Sequence, residues 1–129
     1  INDPRWEEDP HQDMVEKTII PDVPVGSHTA SLGLTFYTAD QFPNNYKNGA
    51  FVGQHGSWNR ANFAGYKVVF VPFSDGKPQQ PQDFLTGFIA NDEAGEVYGR
   101  PVDVTVTPKG SLLVNDDDAG IIWKVTAAN

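Results

Sequence analysis

The residues best equipped for chemistry stand in one run, Gly53-Gln54-His55-Gly56-Ser57-Trp58-Asn59-Arg60, which sets an imidazole, a hydroxyl, an indole, an amide and a guanidinium side by side. Such a set can move a proton, donate to an anion or stack on a flat ring, and a plain turn needs none of it. A second guanidinium, Arg100, stands between Gly99 and Pro101. Arg60 and Arg100 are planar forks suited to carboxylate or phosphate; the plainer alternative for each is an ion pair with a nearby acid such as Asp117. His28 and the acidic run Asp116-Asp117-Asp118 complete the candidates.

Each candidate has two readings. His55 either meets a cofactor or substrate, or holds its own turn by bonding the backbone. Trp58 stacks on a planar ligand or packs beneath the loop. Ser57 beside a histidine invites a hydrolase, but no Gly-x-Ser-x-Gly elbow is present and Ser57 is too close in sequence to be presented to His55 as in known triads. Asp116 to Asp118 offer hard oxygens for calcium, yet Ala119 stands where an EF-hand needs a ligand, so solvated turn residues are the preferred reading. His28 either caps its loop or lines the site. No Gly-rich phosphate loop, His-Glu-x-x-His pair or glycosylation sequon occurs.

The elements that must position these groups read as short strands. Leu32 to Thr38, Ala50 to Gln54, Tyr66 to Phe73 and Asp83 to Ile89 form a first series, and the aromatic and β-branched third member reads as buried on both faces. Ala39 to Gly49 and Ser74 to Pro78 are turns, and Asn91 to Pro101 a polar loop. Val102 to Thr107, Ser111 to Asn115 and Ile121 to Val125 begin the series again, with Gly49 and Gly110 before the second strands and Gly65 and Gly120 before the third. Weak repetition of four short strands is the signature of propeller blades.

The expected fold is therefore all-β: a lead-in or inter-blade connector over 1–28, a four-stranded blade over 29–90, and a partial C-terminal blade over 91–129. In an up-and-down blade, the loop entering the first strand and the loop joining the second to the third share one end. That rule puts His28, His55, Trp58, Asn59, Arg60, Arg100 and the three aspartates together, and sends Pro43-Asn44-Asn45 and Pro108-Lys109-Gly110 to the other end.

Composition sets the outer limits. At 129 residues the chain is of single-domain size. It could bury roughly two thirds of its unfolded surface. Ile1 is not an initiator, which suggests a processed chain or a piece of a longer one. No apolar run approaches the ~20 residues of a membrane span. A net charge of −8 argues against nucleic acid or an anionic membrane surface as the main partner. The absence of cysteine removes disulfides, thiol nucleophiles and zinc-thiolate sites. Pro4, Pro10, Pro21 and Pro24 among charges make residues 1–26 read as an extended, solvated arm or connector, with only Gln12 to Ile20 long enough for a short helix.

Several segments together resemble a known family: Gly26-Ser27-His28-Thr29-Ala30-Ser31-Leu32-Gly33-Leu34, Val52 to Arg60, Gly65-Tyr66-Lys67-Val68, Gly99-Arg100-Pro101-Val102, Leu112-Leu113-Val114 with Asp116-Asp117, and Trp123-Lys124-Val125. They are similar to the C-terminal part of the L-sorbosone dehydrogenase family, sugar dehydrogenases like soluble glucose dehydrogenase that depend on pyrroloquinoline quinone (PQQ). The resemblance covers about residues 11–126 and is most specific at His55-Gly56-Ser57-Trp58-Asn59-Arg60. It implies a fragment holding about the last two blades of a six-bladed propeller, exported to the periplasm or secreted, with the quinone on the top face near the axis.

It further implies that Arg100 contacts the quinone's acidic groups and that His55 or Arg60 replaces a lysine found in those relatives. Trp58 would line the cofactor, and His28, Asn59 and Asp117 the sugar. The general base and the calcium ligands are implied to lie outside this chain, on the rest of the propeller. The electron acceptor is left open. The alternative is a non-catalytic propeller module binding carbohydrate or peptide on the same loops.

Overall fold

The computed structural model describes residues 11–58, 60 and 62–128. In chain order they form a short helix α1 (Gln12–Lys17) and eleven strands: β1 (Ser31–Phe36), β2 (Ala50–Gln54), β3 (Lys67–Val71), β4 (Phe73–Ser74), β5 (Lys77–Pro78), β6 (Gln82–Leu85), β7 (Ile89–Asn91), β8 (Glu96–Val97), β9 (Pro101–Val106), β10 (Leu112–Asp116) and β11 (Ile121–Val125). The fold is all-β, with α1 of six residues and one 3₁₀ turn at Asn44–Tyr46 as the helical exceptions among the described residues.

Two antiparallel meanders carry the architecture. One sheet has the order β1-β2-β3-β6 and the other β11-β10-β9, so each runs in sequence from its first strand outward. Strand β3 alternates Val68 and Phe70 into one core with Phe51, Tyr37, Phe42, Val104, Leu112 and Val114, and Val69 and Val71 into a second with Ala50 and Val52. It is buried on both faces, as its unbroken apolar sequence requires. The second core is closed by Val23 and Val25, which corrects the solvated reading of residues 1–26 at its last few positions.

The two sheets meet along β1 and β9 at a point where only glycine fits. A Cβ on Gly33 would fall 2.0 Å from the Asp103 Oδ1 and 2.5 Å from its Cα, so any side chain there drives the sheets apart. At the far end from the candidate loops, the buried Tyr37 hydroxyl donates to the Gly110 carbonyl at 3.0 Å and accepts from the Gln41 and Phe42 amides. Gln41 Nε2 adds a bond to the Lys109 carbonyl at 3.1 Å, so the two turns at this end are tied together.

Two boundaries differ from the strand pattern. The fourth strand stops at Leu85, and Ile89–Asn91 pairs instead with Glu96–Val97 inside the stretch read as a polar loop. The cause is local: Asn91 Oδ1 accepts the Ala94 amide at 3.1 Å, and this side-chain-closed turn folds the chain back on itself. Likewise the turn at Asp75-Gly76 is flanked by a two-residue ladder, β4 against β5. Outward faces stay apolar in two places. Leu32, Leu34 and Phe36 are exposed along β1, and Ile121, Ile122 and Trp123 along β11.

Phe51 lies fully buried against Tyr37, Phe42, Tyr46, Phe70 and Phe84. Phe51→Ala is expected to cost about 3–5 kcal/mol of stability, the cost of opening a cavity in a packed aromatic cluster, read as a lowered urea midpoint.

Candidate functional site

The polar end is built by fixing an irregular loop to its neighbours one backbone group at a time. Strand β2 ends at the fully buried Gln54, whose Nε2 donates to the Val25 carbonyl at 2.7 Å and to Ser31 Oγ at 3.2 Å. The next amides continue onto the strand-entry loop, His55 N–H to the Ala30 carbonyl at 3.0 Å and Gly56 N–H to the Thr29 carbonyl at 2.9 Å. Ser57 closes the loop on itself: its N–H donates to the Ala64 carbonyl at 2.8 Å, and its Oγ accepts the Ala64 N–H at 3.1 Å. The Tyr66 hydroxyl donates to the Ser57 carbonyl. Ser57 is buried and structural, which removes the last support for a serine nucleophile.

Arg100 reaches this loop from the start of β9. Its Nε donates to the His55 carbonyl at 3.1 Å, and its Nη2 to the Gly56 carbonyl at 3.0 Å and the Ser57 carbonyl at 3.5 Å. The guanidinium also lies 5.2 Å from the centre of the Tyr66 ring. Nη1 has no hydrogen-bond partner among the described residues. The ion pair with Asp117 considered for Arg100 does not form; carbonyls take its place, and Asp117 Oδ1 instead meets His55 Nε2 at 2.9 Å.

The acidic run is not one surface. Asp116 is 3% exposed and accepts from the Arg100 N–H at 2.8 Å, the Ala119 N–H at 3.0 Å and Trp123 Nε1 at 3.0 Å. Burial pushes its carboxyl up, but hydrogen bonds from the Ala119 and Arg100 amides, the Trp123 indole and the Asp118 amide outweigh that and hold it below the ordinary value of 3.8. A Cβ on Gly99 would sit 1.8 Å from Asp116 Oδ2, so this carboxylate also explains the glycine before Arg100. The solvated-turn reading thus fails for Asp116 and fits the exposed Asp118, while Asp117 is exposed but paired with His55.

The remaining candidates surround the same loop. Trp58 is 86% exposed and, with His28, Ala30, Gly56 and Ser57, lines a cleft of about 310 Å³. The indole does not pack beneath the loop. His28 takes a left-handed backbone, φ 59°, on an exposed turn. Arg60 is exposed and, among the described residues, its one side-chain hydrogen bond goes to the Ser27 carbonyl, at 3.5 Å. Asn59 lies outside the described residues. The structure therefore brings His28, His55, Trp58, Arg60, Arg100 and Asp117 to one end of the two sheets. Among the described residues no group of three or more His, Asp or Glu side chains is arranged to hold a metal ion, and no helix is long and apolar enough to cross a membrane.

Sequence reasoning missed Gln54, Tyr66 and Asp116 as the residues that hold this end. A signal existed for Asp116, an aspartate closing a strand four residues before Gly120, the pattern of a side-chain-capped turn.

The profile of the TrAA12-like family matches residues 7–128. The chain belongs to the TrAA12-like family. An uncharacterized protein of Borreliella burgdorferi is 38% identical over 102 residues, 77% of this chain and 26% of that protein. Among solved structures, the holo form of the pyranose dehydrogenase PQQ domain from Coprinopsis cinerea is 28% identical with a TM-score of 0.68, covering 88% of this chain and 30% of that one. An iodide structure of the Trichoderma reesei family AA12 enzyme gives 24% identity and a TM-score of 0.63 over 85% of this chain and 28% of that one, a likeness of fold. This TrAA12-like chain thus spans less than a third of the length of each of these relatives.

Asp116→Asn removes the charge and turns one of two accepting oxygens, which together serve the Arg100 and Ala119 amides and the Trp123 indole, into an NH2 that cannot accept, and is expected to cost on the order of 2 kcal/mol at neutral pH. Because the native carboxyl titrates below its free value of 3.8, its stabilisation is complete above that value and fades as pH falls through the lowered native one. Urea melts of both proteins across that range should show the gap closing in acid; a gap independent of pH overturns the assignment.

Proposed function

We propose that this chain is the C-terminal part of a quinoprotein oxidoreductase that oxidises a sugar or sugar aldehyde, of aldose or sorbosone type, with PQQ as acceptor. The observation that carries the reading is the donor set at the polar end. Arg60 and the Nη1 of Arg100, which has no hydrogen-bond partner among the described residues, gather donors on an otherwise acidic chain, beside the His55 imidazole and the exposed Trp58 indole. That combination fits a flat, multiply acidic quinone: forks for its carboxylates and a π-face for its rings. The similarity to the holo PQQ domain from Coprinopsis cinerea supports it.

Bound PQQ supplies a two-electron acceptor for hydride from the sugar carbon, while a base takes the hydroxyl proton. The residues of this chain bind and orient. Arg100 anchors acidic groups through Nη1 while its other nitrogens keep the loop in shape, Arg60 and Trp58 line the quinone, and His28, Asn59 and Asp117 face the sugar. The general base and the calcium ligands belong to the rest of the protein. We place the chain as the last two blades of a six-bladed propeller, periplasmic or secreted. The remaining blades cover the apolar stripe Leu32, Leu34 and Phe36, and a strand from elsewhere pairs with β11.

The test is titration of PQQ with calcium into the full-length protein. A cofactor spectrum with sugar-dependent dye reduction is expected; sugar binding without quinone uptake favours a non-catalytic carbohydrate module. Arg60→Ala should weaken quinone binding with no change in Tm, because Arg60 holds little of the fold. Arg100→Leu should lower both, quinone affinity by about ten- to a hundredfold, and Arg100→Lys should recover only part because the fork is lost. The 129-residue chain alone should show no sugar-dependent dye reduction with added quinone.

A further inference from the structure

We infer that Asp117 is a positioning residue: it fixes the tautomer and orientation of the His55 imidazole so that Nδ1 is the nitrogen offered to a bound ligand. The inference rests on the reading of His55 as a contact for cofactor or sugar, and adds what makes that contact directional.

His55 is held at three points. Its N–H donates to the Ala30 carbonyl at 3.0 Å, its carbonyl accepts from Arg100 Nε at 3.1 Å, and its Nε2 lies 2.9 Å from Asp117 Oδ1. The first two fix the backbone from which the side chain springs, and the third fixes the ring. A carboxylate only accepts, so Nε2 must carry the hydrogen. Nδ1, which has no hydrogen-bond partner among the described residues, is then a lone-pair acceptor in the neutral ring and a donor in the charged one.

The way Asp117 is placed argues for a site and not for a stray surface pair. Its neighbour Asp116 turns inward to bind the Arg100 amide, the Ala119 amide and the Trp123 indole, and so locks the start of the turn. Asp117 follows it and reaches across to the other sheet, to a residue 62 positions earlier. The carboxylate side chain is 64% exposed and the imidazole 22%. A pair so open contributes little to stability. Its effect is on the ring, because a partnered imidazole cannot turn over or exchange its proton between nitrogens without breaking the bond. The second oxygen of Asp117 carries no bond among the described residues and is left for a sugar hydroxyl.

The test is nitrogen NMR on full-length protein labelled with ¹⁵N in its histidine rings, with the His55 signals identified by their loss in His55→Gln. Unmutated protein should show a slowly exchanging Nε2–H and an unprotonated Nδ1 at a pH where the ring is neutral. Asp117→Ala should give averaged tautomer signals for His55 while the melting midpoint moves by no more than about 2 °C, and PQQ binding should weaken several-fold. Asp117→Asn keeps an acceptor oxygen and should restore part of both. Unchanged ring signals in Asp117→Ala overturn the inference, as does a fall in melting temperature with the ring signals intact. If the tautomer is lost as expected but even the unmutated protein takes up no quinone, the positioning role stands and the quinone reading falls.

Discussion

An irregular loop that carries reactive side chains leaves its carbonyls without strand partners, and buried carbonyls must be given donors. Here most of the donors come from one side chain, with the Tyr66 hydroxyl adding a second donor at Ser57. Arg100 binds the carbonyls of His55, Gly56 and Ser57 in succession, and a guanidinium can do so because its nitrogens are coplanar and face different directions. The geometry of His55 and the entry to Trp58 follow from that contact, and through it the second sheet determines the shape of a loop that belongs to the first.

Arg100 is itself held by Asp116, which accepts its amide hydrogen and occupies the space that a side chain at Gly99 would need. The same carboxylate takes the Trp123 indole and the turn amide of Ala119, so the start of β9 and the connection from β10 to β11 share one acceptor. A buried anion with several donors is stable where a lone one is not, since the hydrogen bonds replace the water it has lost. The chain of dependence runs from Asp116 to Arg100 to the loop, and the chemically able residues stand at its end.

The two ends of the sheets are held by different physics. At the far end Tyr37 is surrounded by Phe42 and Phe51, and its hydroxyl ties turns at Gln41 and Gly110 together, with one donor bond and two accepted ones. At the near end the hydrogen-bonding groups are not all used. Arg100 Nη1, His55 Nδ1 and the exposed Arg60 and Trp58 leave capacity that the described residues do not consume. Groups fully satisfied within a fold have nothing to offer a ligand, and those left open at a surface do.

The sequence by itself determined the strands whose side chains announce them. Ala50–Gln54 and the doubly buried strand after it are legible because alternating and unbroken apolar runs permit few other conformations, and counting loops along an antiparallel meander assigned the polar residues to one end. Only the tertiary structure decided which of two adjacent aspartates is buried. The ladder between β9 and β10 shifts register at Asn115/Asp116, and that irregularity, absent from any local pattern, turns Asp116 inward and leaves Asp117 to meet His55. It alone decided the partners of Arg100 as well, because backbone carbonyls have no side-chain identity to read: every residue has one, and which of them lack a strand partner is known only once the chain is folded.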